Sequence, residues 1–467
     1  MNRPTLFLCR VVVWLCLLLL PAAASAAPPY FAKLDNGLTV YILEEPKAPV
    51  VTIQVWYHVG GRNELSGRTG LAHLLEHMMF KGTTNHGKGE YSRLIAKNGG
   101  SENAFTANDE TVYFSNLASD RVELGLELEA DRMANLLLDS KEVMLERDVV
   151  KEERRMRTDD DPQSLLVETG YALAFLAHPY GRPVIGWMDD ISGLTHDDLA
   201  AFYHRYYVPN NATLVVVGDV TAAKLMPLIQ RHFGAVPTKP VTFDPITPEQ
   251  AQLGERRFVL KREAQLPVVF MGYHVPNYNS ADSAALEVLG TILSSGKSSR
   301  LYRSLVYEQR IALSADGGYD PLSIDPELFY FYGMAQPGHT HEEVEAALDK
   351  EIAKLQSEPV SDRELQKAKN GLLAGYIFGQ DSNFFRAMQI GRTVNVGAGV
   401  GYIDGYVQRI QGVTKEAVQQ AAQRYLLKDH RTVGYLVPLP PANAAGPDSS
   451  DSQTAPPPPP EGTKPPS

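Results

Sequence analysis

Cysteine is nearly absent. The chain has two in 467 residues, Cys9 and Cys16, both within its first 26 residues. Beyond that segment no disulfide can staple the fold and no thiolate can hold a metal, so any metal must be held by histidine and carboxylate. Lys/Arg-rich runs are missing too, and the formal net charge is −11. Together these exclude a nucleic-acid partner held mainly through phosphate contacts. After the N-terminal segment no stretch is apolar enough to span a bilayer, which takes about 20 residues.

What is present reads as globular, with 44% hydrophobic and 21% charged residues in a chain long enough for two or three domains. Arg3 and Arg10 precede an apolar run from Val11 to Leu20, and Ala24-Ser25-Ala26 supplies small residues for cleavage. That is the layout of a signal peptide over 1–26. The expectation is an exported protein, most simply periplasmic, with an uncleaved anchor as the alternative. Residues 441–467, with Pro456 to Pro460, cannot build a core and are expected to form a disordered, proline-rich tail.

Between these ends, strands and helices alternate. Asp35-Asn36-Gly37 marks a hairpin turn, and Val50 to Val59 is a β-rich run. Helices are expected over 87–97, 119–139, 141–157, 163–177 and 195–206, and strands over 101–106, 111–117 and 213–218. Ala48-Pro49-Val50-Val51 leading to Tyr57-His58-Val59 returns as Leu266-Pro267-Val268-Val269 leading to Tyr273-His274-Val275. Tyr203 to Tyr207 before Thr213 to Val217 is matched by Gln423-Arg424-Tyr425 before Thr432 to Val437. The offsets are all about 220 residues, far longer than a solenoid period. They predict two domains of one α+β fold, over 28–235 and 255–440, with a linker over 236–254, each a mostly antiparallel sheet with helices.

The chemistry is concentrated in His73-Leu74-Leu75-Glu76-His77. Histidines four apart share a helix face, and Glu76 can share their side. The spacing is the inverse of H-E-x-x-H, and H-x-x-E-H is the inverzincin signature. His73 and His77 are candidate zinc ligands, with Glu76 the general base that takes a proton from the attacking water. Two ligands do not make a site, so a third must come from elsewhere. The glutamate-rich helix over 141–157 is the source, with Val143, Val149 and Val150 suggesting that one side is packed. Glu146 and Glu153, seven apart, share a face, so one carboxylate could reach the metal and another a histidine's free nitrogen. His58, His178, His204 and His274 read as structural, and His86 as a loop residue.

With Glu146-Arg147-Asp148-Val149-Val150-Lys151-Glu152-Glu153, the motif resembles the pitrilysin, insulysin and mitochondrial processing peptidase family. In that family the third ligand is a glutamate about 76 residues beyond the second histidine, which is Glu153 here, with Glu152 the alternative if the register slips by one. The family's supporting carboxylate falls on Glu146. Gly99 to Thr106 resembles the strand beside the metal to which an extended peptide adds as a further strand, which makes Asn103, Ala104 and Phe105 candidate substrate-binding residues. His178 to Gly186 and Ser298 to Tyr302 are also similar. The resemblance implies one Zn²⁺ per chain and a zinc-dependent endopeptidase acting on unfolded or short peptides in an enclosed chamber. In that family a second half supplies an arginine and a tyrosine seven apart. Val306 and Leu313 stand at those positions here, and neither can donate a hydrogen bond. The expectation is therefore the catalytic subunit of a heterodimer with a homologous chain, with a homodimer as the simpler alternative. A zinc-binding scaffold without turnover and a processing protease for one precursor are the rival readings.

Overall fold

The structure, a computed structural model, describes residues 28–440. The signal-peptide and tail segments lie outside the described residues. No helix among the described residues is long and apolar enough to cross a membrane.

The first half is a six-stranded sheet built from β1 (Tyr30–Lys33), β2 (Thr39–Glu44), β3 (Val50–Tyr57), β4 (Ser101–Thr106), β5 (Thr111–Ala118) and β6 (Ala212–Gly218), in the order β1-β2-β6-β3-β5-β4. The β1–β2 hairpin turns where Asp35-Asn36-Gly37 predicts it, with Gly37 at φ +89°. All pairings are antiparallel except β2 with β6. The longer helices of this half are α1 (Leu71–Met78), α2 (Glu90–Lys97), α3 (Val122–Asn135), α4 (Ser140–Arg154), α5 (Pro162–Ala174), α6 (His196–Tyr206) and α7 (Ala222–Phe233). Three stop short of their expected C-terminal ends, among them α5, which ends at Ala174 rather than at 177. The helix expected over 119–139 stops at Asn135 because the next backbone is diverted: Leu137 N–H donates to Gly82 and Thr83 bridges Leu136. The helix expected over 141–157 ends at Arg154 and widens into a π-turn over Arg155–Asp159.

The second half repeats the plan without β1. Its strands β7 (Arg256–Glu263), β8 (Val268–Val275), β9 (Ala312–Gly318), β10 (Glu327–Ala335) and β11 (Arg431–Leu439) run in the order β7-β11-β8-β10-β9. Its longer helices include α8 (Ser283–Ser294), α9 (His341–Ser357), α10 (Asp362–Gly379) and α11 (Asn383–Asn395). Again one pairing is parallel, β11 with β7.

Each half buries one sheet face under its own helices and the other under a helix of the opposite half. In the first half α1 and α3 pack on one face, in the core that holds Ile53, Leu74 and Leu126. The back face, with Trp56, Val215 and Val217, is covered by Ala387 and Ile390 of α11. Reciprocally, Leu166 and Ala174 of α5 cover Val268, Phe270 and Leu436 of the second sheet. Two glycines make the exchange close. A Cβ on Gly170 of α5 would meet the Phe270 ring at 2.4 Å, and one on Gly391 of α11 would meet Trp56 at 2.0 Å. Gly391→Ala is therefore expected to destabilise the protein by about 1–3 kcal/mol through overpacking. Gly371→Ala on α10, where a Cβ meets nothing within 4 Å, is expected to be neutral or to stabilise by up to ~1 kcal/mol. Denaturant midpoints of the two variants check the contrast.

Candidate active site

Helix α1 is held at its N-terminus by a buried acid. Glu64 accepts from Gly70 N at 2.8 Å and from Ala72 N at 2.7 Å. A carboxylate at this end satisfies amides that have no partner within the helix. Burial nevertheless pushes Glu64 up to about 8. Gly70 is required at this entry: its φ is +92°, and a Cβ would lie 2.6 Å from Ile185 O. Leu71, Leu74, Leu75 and Met78 bury the inner face of α1. That leaves His73, Glu76 and His77 half-buried on the face toward α4 and β4.

His73, His77 and Glu153 offer one donor atom each within 4.8 Å of one another. Glu153 Oε2 lies 3.3 Å from His77 Nε2 and 3.9 Å from His73 Nε2. The second distance is too long for a hydrogen bond. The groups thus converge on a common point rather than simply bonding each other. Tetrahedral ligands about 2.0–2.1 Å from zinc lie about 3.3 Å apart, so the donor set and its spacing fit that ion. His77 is oriented by its other nitrogen: Nδ1 donates to Glu146 Oε1 at 2.9 Å, which turns the Nε2 lone pair toward the cluster. His73 Nδ1 is buried with no protein partner. Burial drives the His73 pKa down to about 3, with the His77 and Arg157 charges acting in the same sense, so the ring is neutral and free to ligate. For Glu146, burial opposes the charge. The hydrogen bonds from His77 and Lys81 outweigh it and bring the pKa down to about 2.

Glu76 lies beside this cluster and outside it. Its Oε2 accepts from Thr106 Oγ1 at 2.6 Å. Burial raises its pKa, against the Thr106 bond. A carboxylate made more basic by its surroundings suits a group that must take a proton. Thr106 ends β4, which pairs with β5 alone and is the open edge of the sheet. Of the three strand residues singled out by sequence, Ala104 packs toward the core beneath α1, whereas the Phe105 ring packs edge-on to Trp56 on the opposite face. Asn103 accepts from the N–H of Ala104 at 2.9 Å.

Glu152 is on the outer side of α4, 59% exposed and paired with Arg155 at 2.8 Å. Val143 and Val150 are buried, but Val149 points outward and is 49% exposed. Thr106, Lys81 and Glu64 carry no role in the sequence reading. Period-two alternation from Ala104 puts Thr106 on the same face, and Lys81 follows His77 by one turn, so both signals were present. The structural histidines are satisfied elsewhere: His58 by Thr213, His178 by Asp325 and His274 by Ala174 O, each at 3.0 Å.

A duplicated α+β fold whose first half gathers two histidines and a glutamate beside a half-buried carboxylate fits a metallopeptidase, and relatives agree. Residues 39–186 match the family described as Insulinase (Peptidase family M16), and residues 193–372 match the Peptidase M16 inactive domain. Zinc protease PqqE of Helicobacter pylori is 36% identical over 79% of this chain and 84% of that protein. The mitochondrial-processing peptidase subunit beta of Lentinula edodes is 26% identical over 85% of this chain and 87% of its own. A crystal structure of a protease from Helicobacter pylori superposes with a TM-score of 0.85 at 32% identity, covering 88% of this chain and 99% of that one. The periplasmic protease PqqL from Escherichia coli shares the fold at a TM-score of 0.73 and 20% identity, over 88% of this chain and 48% of that one. The chain belongs to peptidase family M16, and its enzyme class is that of the zinc metallopeptidases. The second half, without a His-x-x-Glu-His, matches the domain described as inactive.

Proposed function

We propose that the chain is a zinc-dependent endopeptidase that cleaves unfolded or short peptides laid along β4, with His73, His77 and Glu153 as the metal ligands and Glu76 as general base. The observation that carries this reading is Glu76 itself. A structural metal needs no basic carboxylate beside it, yet this one is held next to the cluster by Thr106 and raised in pKa by burial. A zinc ion bound there would supply Lewis acidity, acidifying water and polarising the scissile carbonyl. Glu76 takes the proton from the attacking water and returns it to the leaving amine. Glu146 fixes the ring and tautomer of His77. Glu146→Gln is expected to weaken zinc binding by ~10–100-fold, measured by competition with a chelator, without unfolding the protein.

The repeat units 28–235 and 255–440, joined by 236–254, would form one wall of a chamber that a homologous chain completes. Support comes from the second half: Val306 packs against its core and Leu313 is 46% exposed, and both side chains are hydrocarbon. Export to the periplasm is proposed from residues 1–26 and is consistent with the solved relative described as periplasmic. The test is hydrolysis of a mixed set of unstructured peptides by the purified chain alone, with its zinc content measured. Cleavage abolished by a chelator supports the peptidase and makes a partner unnecessary. Bound zinc without cleavage points to the missing subunit, and a chain that binds no zinc refutes the reading.

A further inference from the structure

Four residues beyond Glu153, on the π-turn, Arg157 reaches back to form an ion pair in which its Nη1 lies 2.9 Å from Glu153 Oε1. This is the carboxylate oxygen turned away from the histidines. From Arg147 onward, the other cations on this helix and its extension pair with other groups. Arg154 is buried in a fork on Glu168, Arg155 pairs with Glu152, and Lys151 and Arg147 pair with Asp148. Arg157 alone is paired with a member of the converging His73, His77 and Glu153 group. The pair with Glu153 is its one ion pair among the described residues, and its side chain remains 75% exposed.

Exposed pairs one helical turn apart are weak, so this guanidinium can change partner at little cost. It carries five N–H donors in a planar fork matched to a carboxylate. One nitrogen faces Glu153, and the remainder of the fork is exposed to solvent.

We propose that Arg157 is a specificity-determining residue that receives a carboxylate of the bound peptide, from an acidic side chain or a free C-terminus, beside the bond to be cut. This rests on the peptidase reading of the same site. The test uses binding rather than turnover. Full-length Glu76→Gln protein, zinc-loaded, is titrated into four labelled versions of one peptide: an internal Asp, the same position as Asn, a free C-terminus and its amide. Adding Arg157→Ala at equal zinc content is expected to weaken the Asp or the free-carboxylate peptide by about 10-fold and to leave its neutral counterpart unchanged. Arg157→Lys should restore part of the loss. Which pair responds identifies the source of the carboxylate. Tight binding of all four peptides that is indifferent to Arg157→Ala overturns the proposal and leaves the peptidase reading standing. Zinc-loaded protein that binds none of the four overturns the proposal that this chain's own Arg157 receives the peptide and points to the missing subunit.

Discussion

Glu76→Gln is expected to lower kcat for peptide hydrolysis by about 10²–10⁴-fold, the usual worth of a general base, while zinc content stays at the wild-type level. The substitution keeps the shape of the side chain. An amide oxygen can still accept from Thr106 Oγ1, which now bonds Glu76 Oε2 at 2.6 Å. What is lost is the capacity to take a proton. Because Glu76 is not among the three converging groups, the metal should not notice the change. Steady-state kinetics beside metal analysis of the same sample decide the matter. A variant that loses its zinc would make Glu76 a ligand, and one that retains full turnover would remove it from the chemistry.

The second large effect separates two adjacent glutamates. Glu153→Gln should strip the site of zinc. Its Oε2 is the atom that faces both histidines, and an amide oxygen is a far poorer donor to this ion than a carboxylate. The loss of affinity should exceed the ~10–100-fold that a ligand's hydrogen-bond partner is worth. Glu152→Gln should change almost nothing, since that side chain is 59% exposed and engaged with Arg155 on the outer face. Metal content after desalting, followed by chelator competition, compares the two. If Glu152→Gln were the variant that lost zinc, the arrangement of α4 described above would be wrong by one residue.

That one-residue question shows where the sequence speaks and where it stops. Histidines four apart have only one helical reading, so His73 and His77 were legible at once. Glu153 needed a helix phase across a charge-rich segment in which Glu152 competes, and spacing alone could not exclude the neighbour. Arg157 sits one turn from Glu153, but a helix crowded with charges offers many such pairs, and only packing selects among them. The repeat of about 220 residues gave the two-sheet plan, and both sheets take the same strand order apart from β1. The crossing of α5 and α11 was not legible. Gly391 in a helix reads as a weak spot until Trp56 is found against it. One sign was available: the unbroken run Leu214-Val215-Val216-Val217 in β6 is too apolar for a strand with one wet face, so something had to cover its back.

The crossing of α5 and α11 has a consequence for how the molecule can be taken apart. A protease that nicks the chain between 236 and 254 would cut a connection the fold does not rely on, because each fragment still carries the lid of the other. The nicked protein should migrate as one species in native conditions. The zinc-bearing half expressed by itself should be insoluble, with Trp56 and Val215 open to water. Supplied together as separate polypeptides, the two halves should find each other and recover the metal, a complementation that independently folding units would neither need nor display.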